Sequence, residues 1–260
     1  MSFVDNPEAS TPFDIPILCY HYVESAGEVP PPYGLPITLF EQHLDFLAEH
    51  GFKTISFSAL YKTLQAGTHP PRKSVIITFD DGSKCFHQRA LPALVSRNMQ
   101  ATMFIVAGEI GGINRWDIAR GASERSLMNE AEIKDLIHQK IEIGSHGWSH
   151  RAIPECSESE LEREIRQSKQ ELESRFGQLI TTFAYPYGRY RESDHQALKQ
   201  AGYSGAVSIF SPYPTVLSNR FAMRRIGIHS GDTPLRLRMK LAPLYLKWAA
   251  FRDRKGRRDL

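Results

Sequence analysis

The sequence predicts an α/β protein folded as a distorted (β/α) barrel, with seven parallel strands in a single domain. Three observations lead to this fold. The 260 residues are 41% hydrophobic and 23% charged, as in one large globular domain. Strand-like and helix-like segments alternate at least six times, the order of parallel strands joined by right-handed crossovers. The most strand-like segment, Ser74–Phe79, is an apolar run typical of a strand covered on both faces.

Short apolar runs predict the individual strands, which are residues 15–20, 52–57, 74–79, 101–107, 141–144, 181–184, 204–208 and 224–228. Capping boxes predict three helix starts, at Thr38 with Glu41, Asn129 with Glu132, and Ser157 with Glu160. Further helices are expected at residues 58–67, 90–95 and 192–201. After Ser157, an apolar stripe lies on a helix otherwise covered by Glu, Arg and Gln: Leu161, Ile165, Leu172 and Phe176.

Charge and composition divide the chain into three parts. Residues 1–14 are predicted as an N-terminal extension, residues 15–234 as the barrel domain, and residues 235–260 as a basic C-terminal helix or tail. From Arg236 onward, nine basic residues face only Asp253 and Asp259, a local charge of +7 in a chain of net charge +3. The tail is therefore either a last barrel helix with a solvated basic end or an interfacial helix attracted to anionic lipid. Nucleic acid is not expected, because no binding motif accompanies the charge.

Residues 1–14 contain Asp, Glu, Asn and Pro where a signal peptide needs a basic start and an apolar run. The three cysteines, Cys19, Cys85 and Cys156, are too few for a disulfide framework. A reducing compartment fits this composition. We therefore expect a cytoplasmic protein, peripheral at the cytoplasmic face of the membrane if the tail binds lipid.

Polar or aromatic residues follow four of the predicted strands: His21, the pair Asp80 and Asp81, His146, and Tyr185 with its neighbours up to residue 188. In parallel barrels, chemistry collects at these carboxyl ends of strands. Adjacent carboxylates at the end of a buried strand repel each other, and a cation removes that penalty. The alternative for the DDG sequence at residues 80–82 is a simple turn.

His146 and His150 are four residues apart, so in a helical turn both imidazoles lie on one face and bind one metal ion. The alternative is two surface histidines. Together with a carboxylate at a strand end, they make a two-histidine, one-carboxylate set with open positions, which indicates catalysis. The other histidines without a partner pattern are predicted to lie on the surface: His43, His50, His69, His87, His138 and His195.

Three motifs in this order, TFDDG at 78–82, HGWSH at 146–150 and FAYPYG at 183–188, resemble the polysaccharide deacetylases, the family with the NodB-homology domain (carbohydrate esterase family 4). The similarity extends over residues 15–232. LCYHYV at 18–23 and FEQHLDFLAEHGF at 40–52 resemble the branch that acts on poly-N-acetylglucosamine exopolysaccharides. The resemblance implies that residues 15–234 form the deacetylase domain, and that the substrate is a saccharide containing N-acetylhexosamine.

The resemblance also implies a role for each matching residue. Asp81, His146 and His150 would hold a divalent metal, Zn²⁺ most simply, with Co²⁺, Ni²⁺ or Fe²⁺ also suited to this ligand set. Asp80 would act as the general base. The backbone N–H of Tyr187 would face the oxyanion. Tyr185, Tyr187 and Trp148 are candidates to stack on a sugar ring, although aromatic residues in barrel loops also serve as core packing.

The chain departs from the family pattern in two places. The late Leu-x-His motif is replaced by GIH at 227–229, so the general acid is either His21, which matches an early histidine of the exopolysaccharide branch, or His229. The alternative is a structural role for both histidines. The arginine that usually orients the base is absent from the third motif, where Ala184 and Tyr185 stand. Arg225, on the following strand, is the candidate replacement.

Three functions are compatible with these residues. The first is a metal-dependent hydrolase that removes N-acetyl groups from a polysaccharide or a saccharide precursor. The second is an iron oxygenase, although in that class the carboxylate usually lies near the first histidine, and here 65 residues separate Asp81 from His146. The third is a saccharide-binding or scaffold protein with a degraded site, which the missing arginine suggests.

Overall fold

The computed structural model describes residues 15–25, 27, 33–213, 216 and 218–256. The strands within this part of the chain are short, and most are buried along their whole length. They are β1 (Ile17–Tyr20), β2 (Tyr22–Glu24), β3 (Gly34–Pro36), β4 (Lys53–Thr54), β5 (Ser74–Phe79), β6 (Thr102–Ile105), β7 (Glu142–Ser145), β8 (Thr182–Ala184), β9 (Gly205–Ser208), β10 (Met223–Arg224) and β11 (Ile226–Gly227).

The helices alternate with these strands. They are α1 (Ile37–Glu49), α2 (Phe57–Gln65), α3 (Leu91–Ser96), α4 (Arg115–Ile118), α5 (Glu130–His138), α6 (Glu158–Glu162), α7 (Ser168–Phe176), α8 (Asp194–Gln200), α9 (Pro234–Lys240) and α10 (Pro243–Gly256). Two π-helical segments, Phe86–Ala90 and Arg163–Gln167, lead directly into α3 and α7. Short 3₁₀ turns lie at Ala107–Glu109, Ile153–Glu155 and Pro186–Gly188.

Among the described residues, the main sheet has nine strands, paired in parallel in the order β10-β9-β8-β7-β6-β5-β1-β11, with β4 beside this path on β5. The strands β10 and β11 end the path on opposite sides, yet only Arg225 separates them in the chain. The sheet is therefore nearly closed on itself. The predicted fold class, a distorted (β/α) barrel in a single domain, is confirmed.

Side chains alternate along the strands between the inside and the outside of this barrel. Ile17 and Ile76 belong to an inner cluster with Phe104, Val207 and others. Leu18, Ile77 and their alternating neighbours belong to a larger outer cluster that packs against the helices. Asp80 continues the inner face of β5, so the barrel delivers its carboxylate toward the interior at the carboxyl end of the strand.

Local signals located most helix starts but not all of them. The capping boxes at Asn129 and Ser157 are both formed. The one predicted at Thr38 is wrong, because extended Pro36 occupies the cap position and α1 begins at Ile37 without a side-chain cap. The predicted strand 52–57 shrinks to β4 because Ser56 caps α2, with its Oγ accepting from the Ala59 N–H at 3.1 Å.

Two histidines predicted to lie on the surface are buried. His43 lies within α1 against Tyr20, with 3.2 Å between its Nδ1 and the tyrosine hydroxyl oxygen, and its Nε2 bonds the carbonyl of Asp232. His195, on α8, is also buried and stacks on Tyr190 at 5.3 Å. Their partners are remote in sequence, so no local pattern reveals the burial.

The C-terminal segment packs back on the barrel through buried Leu237, Leu241 and Leu246. Within the described residues, no helix is both long enough and apolar enough to cross a membrane. The extension predicted at residues 1–14 lies outside the described residues, as does the end of the predicted tail, residues 257–260.

Candidate metal and catalytic site

Three side chains from distant parts of the chain converge at the carboxyl rim of the barrel. Asp81 follows β5, and His146 and His150 follow β7. The Oδ1 atom of Asp81 lies 3.6 Å from His146 Nε2 and 3.4 Å from His150 Nε2. All three residues are buried. These atoms form a group whose members lie within 4.8 Å of one another.

The chemistry of this group fits a divalent cation. A tetrahedral zinc ion, with nitrogen and oxygen ligands at about 2.0–2.1 Å, holds them about 3.3 Å apart, close to the separations observed. Asp81 Oδ1 is buried and accepts no hydrogen bond from the described residues, which is costly for a carboxylate unless a cation faces it. Burial raises the pKa of Asp81, but His150, together with His21 and His146, outweighs this and lowers that pKa to about 2.

His146 is oriented by its other ring nitrogen, since Nδ1 lies 2.8 Å from the carbonyl oxygen of Ala184 at the end of β8. With the proton on Nδ1, Nε2 is unprotonated, and its lone pair is available to a metal ion on the side where Asp81 lies. Burial lowers the pKa of His146 to about 4. The imidazole is therefore neutral near pH 7, as a metal ligand must be.

The HGWSH segment does not form the helical turn that the spacing of its histidines suggested. Residues 146–150 are a loop, and the two histidines converge because Gly147 (φ 83°) and His150 (φ 61°) adopt left-handed backbone conformations. Asp81 (φ 72°) and Tyr187 (φ 58°) share this conformation. For non-glycine residues it costs roughly 1–3 kcal/mol each and concentrates at functional sites.

Glu164 holds this loop and was missed by sequence reasoning, which placed it on the solvent-exposed part of its helix. It is buried, and its carboxylate accepts from the N–H of Trp148 at 2.8 Å and from the N–H of Ser149 at 3.1 Å. The Ser149 hydroxyl also donates to it. Gly147 is required here, since a Cβ would lie 2.5 Å from the Glu164 carboxylate.

Asp80 lies beside the metal-ligand group and forms a buried ion pair with Arg225, the residue between β10 and β11. Arg225 Nη1 donates to Asp80 Oδ1 at 2.6 Å, and Nη2 donates to Oδ2 at 2.7 Å. Burial raises the pKa of Asp80, but opposing causes, of which the charge of Arg225 is the largest, hold that pKa well below its usual value. The carboxylate is thus ionised and fixed in orientation by both oxygens.

Tyr22 orients the other oxygen of Asp81, and nothing in the sequence pattern indicated it. Its hydroxyl donates to Asp81 Oδ2 at 3.0 Å and also lies 3.1 Å from Asp117 Oδ2. Holding Oδ2 leaves Oδ1 directed at the two histidines. A partner 59 residues away in sequence leaves no local signal.

Aromatic side chains cover His150. Trp116 stacks on its ring at 4.5 Å, and Tyr187 meets the ring edge-on at 4.6 Å. The guanidinium of Arg120 lies 3.9 Å from the centre of the Tyr187 ring. These contacts restrict access of water to one side of the metal-ligand group.

A sequence profile described as polysaccharide deacetylase matches residues 67–206, more than half of the chain. The match spans Asp80, Asp81, His146, His150 and Tyr187. The chain belongs to the polysaccharide deacetylase family. Arg225 and His21 lie outside the matched residues, so their place beside the shared motifs comes from the fold alone.

Two named relatives agree with this family. The chain is 27% identical over 220 residues to YxkH of Bacillus subtilis, a protein named as a polysaccharide deacetylase, covering 85% of this chain and 73% of YxkH. It is 24% identical over 205 residues to poly-beta-1,6-N-acetyl-D-glucosamine N-deacetylase of Staphylococcus aureus, covering 75% of this chain and 68% of that enzyme.

Solved structures of deacetylases share the fold. The Streptococcus pyogenes deacetylase PplD in complex with acetate superposes with a TM-score of 0.77 at 23% identity, covering 90% of this chain and all of PplD. IcaB from Ammonifex degensii gives a TM-score of 0.72 at 22% identity, covering 90% of this chain and 97% of IcaB.

The other predicted site residues, His21, His229 and Trp148, lie at different distances from the metal-ligand group and differ in exposure. His21 Nε2 lies 3.9 Å from Asp80 Oδ2, and its ring is 5.2 Å from that of Tyr33. His229 is exposed, with its ring 5.9 Å from Tyr33 on the side of β11. Trp148 is partly buried, with the guanidinium of Arg163 5.0 Å from its ring centre.

Tyr185 is in the wrong place for a sugar contact. It is fully buried, its hydroxyl donates to the carbonyl of Phe221 at 2.9 Å, and its ring stacks on Tyr190 at 4.7 Å. It follows β8 directly, where alternation turns the side chain toward the outer cluster rather than the rim. The prediction that Tyr185 binds substrate is therefore withdrawn.

Proposed function

We propose that the protein is a metal-dependent N-deacetylase that removes acetyl groups from N-acetylhexosamine residues of a polysaccharide or a saccharide precursor. The observation that carries this proposal is the convergence of Asp81, His146 and His150 beside the Asp80–Arg225 pair. The N-acetylglucosamine polymer named for the Staphylococcus aureus relative supports the substrate class.

Asp81, His146 and His150 hold the divalent ion, and Zn²⁺ suits their nitrogen and oxygen donors, as do Co²⁺, Ni²⁺ and Fe²⁺. When bound, the ion polarises the acetamide carbonyl and lowers the pKa of a water molecule. Tyr22 and the Ala184 carbonyl fix the carboxylate and one imidazole before binding. Because these contacts are already in place, little reorganisation accompanies metal uptake.

Asp80 is the proposed general base. Its carboxylate is buried, ionised and held by Arg225, and it lies 3.7 Å from His146 Nε2, so it faces the same space as the metal ligands. A carboxylate in this position accepts a proton from an attacking water. Arg225 supplies the guanidinium that the third motif lacks. The missing arginine was the reason to consider a saccharide-binding protein with a degraded site, and that reason no longer applies.

His21 is the proposed general acid. It lies beside Asp80 on the rim, whereas exposed His229 has its ring near Tyr33. His21 donates a proton to the amide nitrogen as the carbon–nitrogen bond breaks, so that the product leaves as a neutral amine. The backbone N–H of Tyr187 donates to the oxyanion. Tyr187 and Trp148 remain the proposed aromatic contacts for a sugar ring.

Acetate release tests the proposal. Protein loaded with Zn²⁺ is incubated with N-acetylglucosamine oligomers, beside Asp80→Asn and His146→Ala. We expect wild type to release acetate, Asp80→Asn to keep zinc but lose turnover about 10²-fold or more, and His146→Ala to lose both. Saccharide binding without acetate release from the zinc-loaded wild type would refute the proposed function, and normal turnover by Asp80→Asn would refute the assignment of the base.

We also propose that the basic C-terminal segment binds an anionic membrane surface at the cytoplasmic face. On α10, exposed Leu244, Trp248 and Phe251 recur at helical spacing, and Lys247 and Arg252 flank them. An exposed apolar stripe with cations beside it matches the headgroup region of anionic lipid.

Vesicle sedimentation tests this contact. We expect binding to phosphatidylglycerol vesicles, weak binding to phosphatidylcholine vesicles, and loss of binding in Trp248→Ser. Leu179→Ser, which changes an exposed leucine outside the segment, serves as the control. Equal recovery of wild type in the supernatant with and without anionic vesicles would remove the proposal, as would a dimer that Trp248→Ser dissociates.

A further inference from the structure

A second cluster of metal-binding side chains lies next to the proposed base. Cys19 is in β1 and His21 follows that strand, so the two side chains leave the same face. Cys19 Sγ lies 3.6 Å from Asp80 Oδ2, and His21 Nε2 lies 3.9 Å from the same oxygen. The three ligand atoms lie within 4.8 Å of one another. None of these residues belongs to the Asp81, His146 and His150 group.

The separations suit a tetrahedral ion after small adjustments. With a metal–sulfur distance of 2.3 Å and metal–oxygen or metal–nitrogen distances of 2.0–2.1 Å, neighbouring ligands lie about 3.3–3.5 Å apart. The Cys19–Asp80 distance of 3.6 Å is close to this value, and the His21–Asp80 distance of 3.9 Å exceeds it by about half an ångström. Cys19 and Asp80 are buried, whereas the His21 side chain is 21% exposed, so an ion reaches the cluster from the rim past His21.

The ligand types select for soft cations. A thiolate with an imidazole and a carboxylate binds Zn²⁺ and Cd²⁺ well and discriminates against Mg²⁺ and Ca²⁺. Binding replaces the thiol proton of Cys19, which leaves to solvent, and the resulting thiolate contributes one negative charge. That charge offsets part of the cost of placing a second cation near the first.

Two features limit the affinity of this cluster. Arg225 already donates to both oxygens of Asp80, and it repels an incoming cation. His146, a ligand of the first group, lies 3.7 Å from Asp80 Oδ2, so two bound ions would be close neighbours. The second ion therefore binds more weakly than the first and is taken up only when metal is in excess.

We propose that Cys19, His21 and Asp80 form a second, inhibitory site for a thiophilic divalent cation such as Cd²⁺ or excess Zn²⁺. An ion at this site occupies the lone pairs of Asp80 and His21, the two groups that exchange protons in the proposed reaction. The inhibition rests on the proposed function, whereas the binding of the ion does not.

Binding is measured first, without any substrate. Protein loaded with one equivalent of Zn²⁺ is titrated with Cd²⁺, and thiolate-to-cadmium charge-transfer absorbance is followed together with ion stoichiometry by native mass spectrometry. The first group contains no cysteine, so the absorbance does not report on that group, and the cysteine variants identify which of the free thiols Cys19, Cys85 and Cys156 gives it. We expect one additional ion per chain and a saturating signal in wild type.

Cysteine variants identify the ligand. Cys19→Ala is expected to lose the charge-transfer signal and to bind the second ion about tenfold or more weakly. Loss of even an indirect contact to a metal ligand has an effect of that size. Cys19→Ser, closer in volume, gives the same result if the alanine variant folds poorly. Cys85→Ala and Cys156→Ala are the matched controls and keep the signal. An unchanged signal in Cys19→Ala and Cys19→Ser, or no signal in wild type, would overturn the site.

Inhibition is measured second, with each variant normalised to its own acetate release at one equivalent of Zn²⁺. We expect Cd²⁺ to inhibit wild type in the concentration range in which the absorbance saturates, and Cys19→Ala to resist. Binding without inhibition would overturn the inhibitory role. If no sample releases acetate, the proposed function fails while the binding result still stands.

Discussion

Replacement of Arg225 by methionine tests the role of the buried ion pair most directly. The change removes two hydrogen bonds, of 2.6 and 2.7 Å, from Asp80 and leaves that carboxylate buried without a cation. Breaking a buried pair costs about 3–5 kcal/mol of folding free energy. Two charge-assisted hydrogen bonds at about 1.5–3 kcal/mol each lead to a similar figure.

The expected effect on catalysis is a loss of kcat. Without Arg225, burial is no longer opposed and the pKa of Asp80 rises, while the carboxylate is free to rotate away from the water it activates. A positioned general base contributes about 10²–10⁴-fold, so we expect kcat for acetate release to fall by about 10²-fold or more. KM and zinc content should change little, because Arg225 is buried and its side-chain hydrogen bonds go to Thr78 and Asp80, not to the proposed metal ligands.

Arg224→Met is the matched control. Arg224 is the neighbouring residue, is also buried, and pairs with Asp253 of α10 instead of a site residue. Chemical denaturation should show comparable destabilisation for both variants, whereas only Arg225→Met should lose kcat. If Arg225→Met retained kcat within about threefold of Arg224→Met, well below the effect of removing a base, the orienting role would be refuted.

Three further outcomes are expected. His21→Ala should reduce kcat by about 10²-fold or more and His229→Ala by less than tenfold, and the reverse order in acetate-release assays would reassign the general acid. Glu164→Gln should weaken zinc binding about 10–100-fold in a chelator competition, because the amide NH₂ would face the N–H groups of Trp148 and Ser149, which now donate to the carboxylate. Unchanged affinity would contradict the positioning role of Glu164. Burial lowers the pKa of His43 from 6.5, so the unfolded chain binds a proton that the folded protein excludes, and stability falls as the pH drops below 6.5. In His43→Gln, the free energy of unfolding should vary less steeply with pH between the folded pKa of His43 and 6.5, by up to about 1.4 kcal/mol per pH unit. An unchanged slope would show that His43 does not cause this pH dependence.

The parts of the fold that depend on local chemistry were predictable from the sequence. The bounds of β5 were found because its apolar run ends abruptly at two aspartates. The capping boxes at Asn129 and Ser157 were found because donor and acceptor are three residues apart. The failure at Thr38 has a local cause as well, since Pro36 occupies the cap position and the helix already begins at Ile37.

Site residues that belong to linear motifs were predictable from the sequence. One residue outside those motifs, Arg225, was predictable only from the order of the strands. Arg225 was proposed from its place on the next strand, and the structure puts its guanidinium against Asp80. Tyr22 and Glu164 act through contacts with residues far away or on another element. Their side-chain types alone do not distinguish them from surface residues, and only the assembled barrel reveals what they touch.

The barrel closes where β11 pairs with β1, and this pairing sets the earliest time during protein synthesis at which the candidate site can be complete. Asp80 and Arg225 are 145 residues apart. At ordinary rates of translation, about 7–30 s pass between their departures from the peptidyl transferase centre. Throughout this interval the aspartate lacks its guanidinium, and β11 has not yet joined β1. A nascent chain, or a chain truncated before Arg225, therefore lacks the Asp80–Arg225 pair, because closing the barrel and forming this pair are the same event.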